Sequence, residues 1–463
     1  VKIDIEMQDS LYRKEPKIYP HKITGRFARL RDLAMYVLLG LFYFMPWLNV
    51  NGHQSVLFDL PARKFYILGL TFWPQDFIYL ALLLICAGLT LFFVTAIAGR
   101  LWCGYACPQT VWTEAFLMME RWTEGNRQKR IKLDQAPWSV EKLLRKGSKQ
   151  FLWISFSLWT GFTFVGFFTP IRELAISISS WSLGPWETFW GFFYGFATYG
   201  NAGYLREQVC KYMCPYARFQ GAMFDKETLI ISYDEQRGEP RGSRKKGSDT
   251  KALGLGDCIG CTLCVQVCPT GIDIRDGLQI ECIACAACVD ICDTVMDKMD
   301  YPRGLIRYTT DNALHNKPSR VIRPRVLVYS VLLLTIISGT LWSMTHRTPL
   351  RADLIRDRNA LYRELPDGII ENVYTLKITN MDDASHQYTL KAMDNPQVSF
   401  DYSQALELPA GEVGGFTVRI RLPRSAGQGT TALQLELASK EDASIYKHFK
   451  ATILMPIVGS SKP

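Results

Sequence analysis

The chain is 463 residues long, too long for one ordinary domain, so two or three units are expected. Its hydrophobic fraction of 48% and mean hydropathy near zero conceal strong segregation: long uncharged, aromatic-rich runs alternate with basic polar stretches. The net charge of +9 does not indicate nucleic-acid binding, because the basic residues flank apolar runs instead of forming one patch.

A bilayer core about 30 Å thick takes about 20 helical residues. A polar tail, residues 1–32, precedes the first apolar run, 33–50, which carries Pro46 as a kink or stop. With so long a polar lead and no cleavage pattern, no secretory signal peptide is expected. The second run, Phe77–Ala98, has no charge and holds Cys86, read as a packing residue. Directly after it stands Cys103-Gly-Tyr105-Ala-Cys107-Pro108. A third uncharged run, 151–169, and a weaker fourth, 186–205 with Glu187 and several glycines, lead to Cys210-Lys-Tyr212-Met-Cys214-Pro215. Runs one to four thus form a duplicated hairpin, each copy ending in the same element shortly after an arginine, Arg100 or Arg206.

Proline suits the first turn of a helix, so Cys107 and Cys214 are expected at helix N-termini, where the dipole lowers a thiol pKa. Soft thiolates from both copies can hold Cu(I), an iron–sulfur cluster or zinc, and spacing alone does not choose among them. A purely architectural role as helix starts is the alternative.

Between the fourth and fifth runs lies Cys258-Ile-Gly-Cys261-Thr-Leu-Cys264-Val-Gln-Val-Cys268-Pro269, then Cys282-Ile-Ala-Cys285-Ala-Ala-Cys288-Val-Asp-Ile-Cys292-Asp293. This is the bacterial two-cluster ferredoxin spacing twice over, with Asp293 in place of the second proline. Three close thiolates wrap three corners of a cube, and the fourth is carried to the other cube. One 4Fe–4S cluster is therefore assigned to Cys258, Cys261, Cys264 and Cys292, the other to Cys282, Cys285, Cys288 and Cys268. Paired four-cysteine zinc sites are the alternative.

The fifth uncharged run is 326–345. Beyond Arg351, period-two segments 370–379, 387–392, 413–421, 431–438 and 446–454 separated by turns predict a small β-sandwich. It contains no cysteine, and its His386 and His448 are expected as exposed strand residues. His21, His53, His315, His346 and Met344 are metal ligands only by default. Lys and Arg number eight in the tail, then two, ten, one and eighteen in successive loops. That alternation places the N-terminus and the ferredoxin insert in the cytoplasm and the sandwich outside.

This order of parts resembles the CcoG family, also called FixG or RdxA, accessory proteins for assembly of cbb-type cytochrome c oxidase. The resemblance spans essentially the whole chain. It implies a multidomain α + β protein of the bacterial inner membrane, with a five-helix transmembrane bundle, an inserted two-cluster ferredoxin domain and a periplasmic immunoglobulin-like sandwich. The implied units are tail 1–32, four-helix region 33–225, ferredoxin domain 226–325, fifth helix 326–345 and outer domain 351–463. The resemblance also implies a cupric reductase, with Cys103, Cys107, Cys210 and Cys214 as copper thiols and the oxidase assembly machinery as partner. The rivals are a quinol-oxidising relay of the NapH type, which lacks the outer sandwich, and a non-catalytic assembly scaffold. The sequence names no electron donor, haem or flavin, shows no GxGxxG fingerprint, and leaves a homodimer open.

Overall fold

The computed structural model describes residues 17–248, 254–357, 361–382 and 384–456; residues 1–16 of the expected tail and 457–463 of the expected outer domain lie outside them. The chain forms two compact units, 1–338 and 339–463.

In the first unit the helices used below are α1 (Arg26–Phe44), α2 (Phe77–Ala98), α3 (Leu101–Tyr105), α4 (Pro108–Glu124), α5 (Val140–Val165), α6 (Ile171–Ser179), α7 (Pro185–Thr198), α8 (Pro215–Met223), α9 (Leu263–Gln266), α10 (Ala287–Met299) and α11 (Pro324–Thr345). Only α2 and α11 are long and apolar enough to cross a membrane among the described residues. Each has 22 residues, about 33 Å of helix. None of the most apolar 18-residue stretch of α2 is buried within the protein, which suits a lipid-facing segment.

The other three apolar runs are helical but differ from expectation. The first ends early: α1 stops at Phe44, Met45–Trp47 form a 3-10 turn containing Pro46, and Asn49–Val50 is already extended. Its N-terminal half carries Arg26, Arg29, Arg31 and Asp32, so the helix begins about two turns before the apolar run. The third run lies in α5, whose first half is rich in lysine. The fourth divides into α7, 14 residues long, and a π-helical turn Tyr199–Leu205. The loops between these runs also carry secondary structure. Val56–Asp59, Lys64–Ile67 and Leu70–Phe72 form a three-stranded meander, and 170–185 contains α6.

The ferredoxin insert is bracketed by one antiparallel strand pair, Ile230–Tyr233 with Ile306–Thr309, so the chain enters and leaves it side by side. Ile231, Tyr233, Val289, Met296, Leu305 and Ile306 build its core. Asp290, between two cluster cysteines on α10, accepts hydrogen bonds from Phe27 N (3.2 Å) and Ala28 N (2.7 Å). It thereby caps the first turn of α1 and ties that helix to the insert.

The second unit is a two-sheet antiparallel sandwich. One sheet runs Ser399–Tyr402, Val413–Pro423, Ile369–Asn380, Leu350–Arg356, with Arg363–Glu364 also on Ile369–Asn380; the other runs Glu407–Leu408, His386–Ala392, Thr430–Ser439, Tyr446–Leu454. Alternate residues such as Leu376, Ile378, Val418, Ile420, Leu435, Leu437 and Ile453 point inward and are fully buried. The same alternation corrects the expectation for His386. It is turned into the core, 5% exposed, between Asp382 (2.8 Å) and Ser439 (3.1 Å), as a satisfied structural histidine. His448 is exposed and pairs with Glu436.

Candidate metal centres

The eight insert cysteines line two small, mostly apolar cavities. Cys258, Cys261, Cys264 and Cys292 line one together with Tyr233, Leu263, Met296 and Ile306. Cys268, Cys282, Cys285 and Cys288 line the other, which Cys264 also touches. The two ligand loops repeat one backbone. Gly260 and Thr262 in the first, and Ala284 and Ala286 in the second, have φ between +53° and +67° at matched positions. For three of the four this is a left-handed conformation that costs about 1 kcal/mol or more, and it turns successive N–H groups toward the cavity.

A zinc ion draws its ligands into one tight tetrahedron. Each quartet instead lines a cavity; among the described residues no three His, Cys, Asp or Glu side chains, the four thiols of the Cys-x-x-x-Cys-Pro elements included, stand close enough together to hold a single ion. Four sulfurs, apolar walls and inward N–H groups fit a 4Fe–4S cluster, which would supply one-electron chemistry at each position.

Burial pushes the thiols of Cys282 and Cys292 up to about 12 and that of Cys264 up to about 11, with neighbouring thiols adding to the effect.

The two Cys-x-Tyr-x-Cys-Pro elements come together. Each of Cys103, Cys107, Cys210 and Cys214 lies within electrostatic reach of at least two of the others. Cys107 is the N-cap of α4 and Cys214 the N-cap of α8, both helices opening on proline, as the spacing predicts. The thiolate expectation is corrected, however. The backbone N–H groups of Gln109 and Thr110 do favour the Cys107 thiolate, but burial outweighs them and pushes that thiol up. Burial likewise pushes Cys103 up to about 12 and Cys210 up to about 11. The metal-free elements therefore hold neutral thiols at these three positions. Cys103 Sγ donates to Oε1 of the fully buried Gln220 on α8 at 3.4 Å, which joins the first element to the helix of the second.

The elements are matched in sequence but not in surroundings. A Cβ on Gly104 would lie 2.8 Å from the carbonyl oxygen of Ile283 and 2.9 Å from that of Ala284, so the first element rests directly on the second ligand loop. Tyr308, whose hydroxyl approaches that of Tyr105 at 3.4 Å, donates to Ala284 O at 2.6 Å. In the second element Lys211 stands where Gly104 stands in the first. The matched arginines diverge too. Arg100 donates to Cys282 O (3.0 Å) and Ala217 O (2.7 Å), whereas Arg206 pairs with the buried Glu120 (2.9 Å). Burial raises the Glu120 carboxyl, but Arg206, Arg130 and Lys17 together outweigh it and hold it below its ordinary range.

The default histidines do not converge. His53 stacks on Tyr66, His315 faces Asp311, and His346 bonds Trp342 O on its own helix turn. Sequence reasoning missed Gln220 and Arg31, the latter reaching the Cys285 thiol from α1. Their only sequence signal is a polar side chain beside an apolar run.

Residues 205–311 match the profile of a 4Fe-4S dicluster domain, 79–127 that of a 4Fe-4S binding domain, and 340–456 that of the IG-like fold at the C-terminus of FixG. The nitrogen fixation protein FixG of Rhizobium meliloti is 40% identical over 408 residues, covering 80% of this chain and 78% of its own. RdxB and RdxA of Cereibacter sphaeroides are each 38% identical, covering 92% of this chain and 92% and 94% of theirs. The crystal structure of a FixG-related protein from Vibrio parahaemolyticus, 26% identical, aligns over 23% of this chain and 96% of its own with a TM-score of 0.21.

Proposed function

This chain belongs to the FixG, RdxA and CcoG family of iron–sulfur oxidoreductases, and from that premise we propose that it reduces Cu(II) to Cu(I) at the four membrane-surface thiols for assembly of a cbb-type cytochrome c oxidase. The observation that carries this reading is the seat of the first thiol element on the second cluster loop, through Gly104 and Arg100. A one-electron donor then lies beside a soft-ligand site, and Cu(II) takes one electron to become Cu(I). Thiolate stabilises the Cu(I) product. Binding copper displaces the protons of the buried thiols, and Gln220 fixes the direction in which the Cys103 sulfur points. In this reading five segments cross the inner membrane, with the insert cytoplasmic and the sandwich periplasmic, where it docks the assembly machinery.

Replacing Cys107 and Cys214 together by Ser tests the site. Copper binding and Cu(II)-dependent reoxidation should fall by at least tenfold, while iron content and the EPR signal of the clusters stay unchanged. A neutral double variant would make the elements structural helix starts. A second reading is favoured by the 4Fe-4S profile over 79–127: the four thiols hold iron themselves, and the same variant would then lose iron.

A further inference from the structure

The two ligand loops share one backbone, yet the charges around them differ. Near the quartet of Cys258, Cys261, Cys264 and Cys292 stand Arg275, which is neutralised by Asp273 through Nε–Oδ1 (2.8 Å) and Nη2–Oδ2 (2.5 Å) contacts, and, farther out, Arg244, which donates to the Tyr301 hydroxyl (3.0 Å) and has its Nη2 buried without an acceptor. Asp293 directly follows the last ligand of this quartet, and Cys261 is exposed.

Around the quartet of Cys268, Cys282, Cys285 and Cys288 stand two arginines instead. Arg100, 5% exposed, is held against the Cys282 carbonyl and lies within reach of the thiols of Cys282, Cys103 and Cys210 and, without a direct ion pair, of the Glu281 carboxylate. Arg31, on α1, lines a cavity together with Pro269, Ile283 and Cys285 and lies within electrostatic reach of the Cys285 thiol. Neither forms an ion pair among the described residues, and the Nε–H of each is buried without an acceptor. The carboxylate facing Arg31, Glu114, is engaged by Arg121 at 3.0 Å. One buried and one half-buried cation, each with an unused donor, are costly unless an anion completes them. A thiolate-held cluster is such an anion, and it gains a further negative charge when reduced.

We propose that Arg31 and Arg100 are positioning residues that give the Cys282 quartet the higher reduction potential of the two, so that electrons pass from the Cys258 quartet to the Cys282 quartet and leave the insert beside Arg100. Fixed positive charge and N–H donors beside cluster sulfurs stabilise the reduced state and raise the potential. The internal step is balanced: the first centre loses one electron, the second gains it, and no proton or co-reactant is needed. Arg100 touches the Cys282 loop and α8 and lies within electrostatic reach of Cys103 and Cys210, so the favoured station is also the one next to the exit. Only the destination of the electron rests on the reductase reading; the ordering of the two potentials does not.

The test is an EPR-monitored redox titration of the full-length protein, purified anaerobically with its iron content verified. Arg31→Gln and Arg100→Gln should each lower the higher midpoint by at least the 59 mV that corresponds to a tenfold loss of electron affinity. The lower midpoint should not move. Arg100→Lys, which keeps the charge but loses the Nε–H, should give a smaller drop in the same midpoint. Cys261→Ser should perturb only the lower one, which assigns it to the Cys258 quartet. Unchanged potentials, equal shifts of both, or a shift confined to the lower midpoint would overturn the proposal. Should the glutamine variants lose iron, the lysine variants at 31 and 100 decide, and a higher midpoint that stays put in both overturns it. Shifted potentials with no copper reduction would sink the reductase reading alone.

Discussion

Two opposing effects meet at Cys107. Its place at the start of α4 offers N–H donors to the sulfur, while burial removes the water that would solvate a thiolate. Burial prevails there and at Cys103 and Cys210, near 12 and 11. Copper must therefore displace a proton from each thiol it uses, and affinity falls as pH falls, by about tenfold per pH unit per thiol. An ordinary thiol levels off above about pH 8.5, but these should not. Competition titrations with a Cu(I) chelator between about pH 6 and 9 should show affinity still climbing at the top of the range; a plateau near pH 8.5 would mean that burial does not govern the site. The eight cluster ligands were legible because their spacing is local and geometric. Arg31 and Gln220 were not, because each reaches its thiol from a helix distant in sequence, and the direction of the pKa shifts was not, because a helix start is written in the sequence and its burial is not.

At the scale of elements, the duplication of the hairpins is real in sequence and broken in three dimensions. One copy faces a cluster loop through Gly104; the other has Lys211 and turns its arginine to Glu120. Gly104→Ala should accordingly cost about 1–3 kcal/mol by overpacking and slow copper reduction. Gly147→Ala, within α5 with open space around it, should be neutral or slightly stabilising. Thermal unfolding of the two variants, read beside copper turnover, checks this; equal behaviour would show that the first element does not bear on the loop. The long strands of the sandwich were legible because alternation over nine or more residues leaves little choice of face. Leu350–Arg356 was missed because its alternation is broken at Ile355, which is apolar but faces outward, and because it closely follows an apolar helix. The meander 56–72 was missed because strands of three or four residues are too short for a period to declare itself.

For the whole molecule, hydropathy marked the apolar part of the first run but not where its helix begins: α1 starts at Arg26, and its arginines occupy the half that meets the insert. The basic-residue alternation still makes a definite prediction. Reporter fusions after Gly125 and after Gly368 should report opposite compartments, and the same compartment for both would mean a miscounted crossing, with α7 the first suspect. The insert carries a consequence of another kind. Each cavity borrows one sulfur from the neighbouring motif, Cys292 for the first and Cys268 for the second, and a single strand pair ties the ends of the whole. Filling one cavity therefore fixes the far end of the motif that must wrap the other, so half-filled molecules are penalised from both sides. Under iron limitation the population should divide into empty and full molecules, and native mass spectrometry should find few with one cluster. The cell would then regulate how many copies of this protein are live and not how active each copy is, as a coin has two faces and no stable edge.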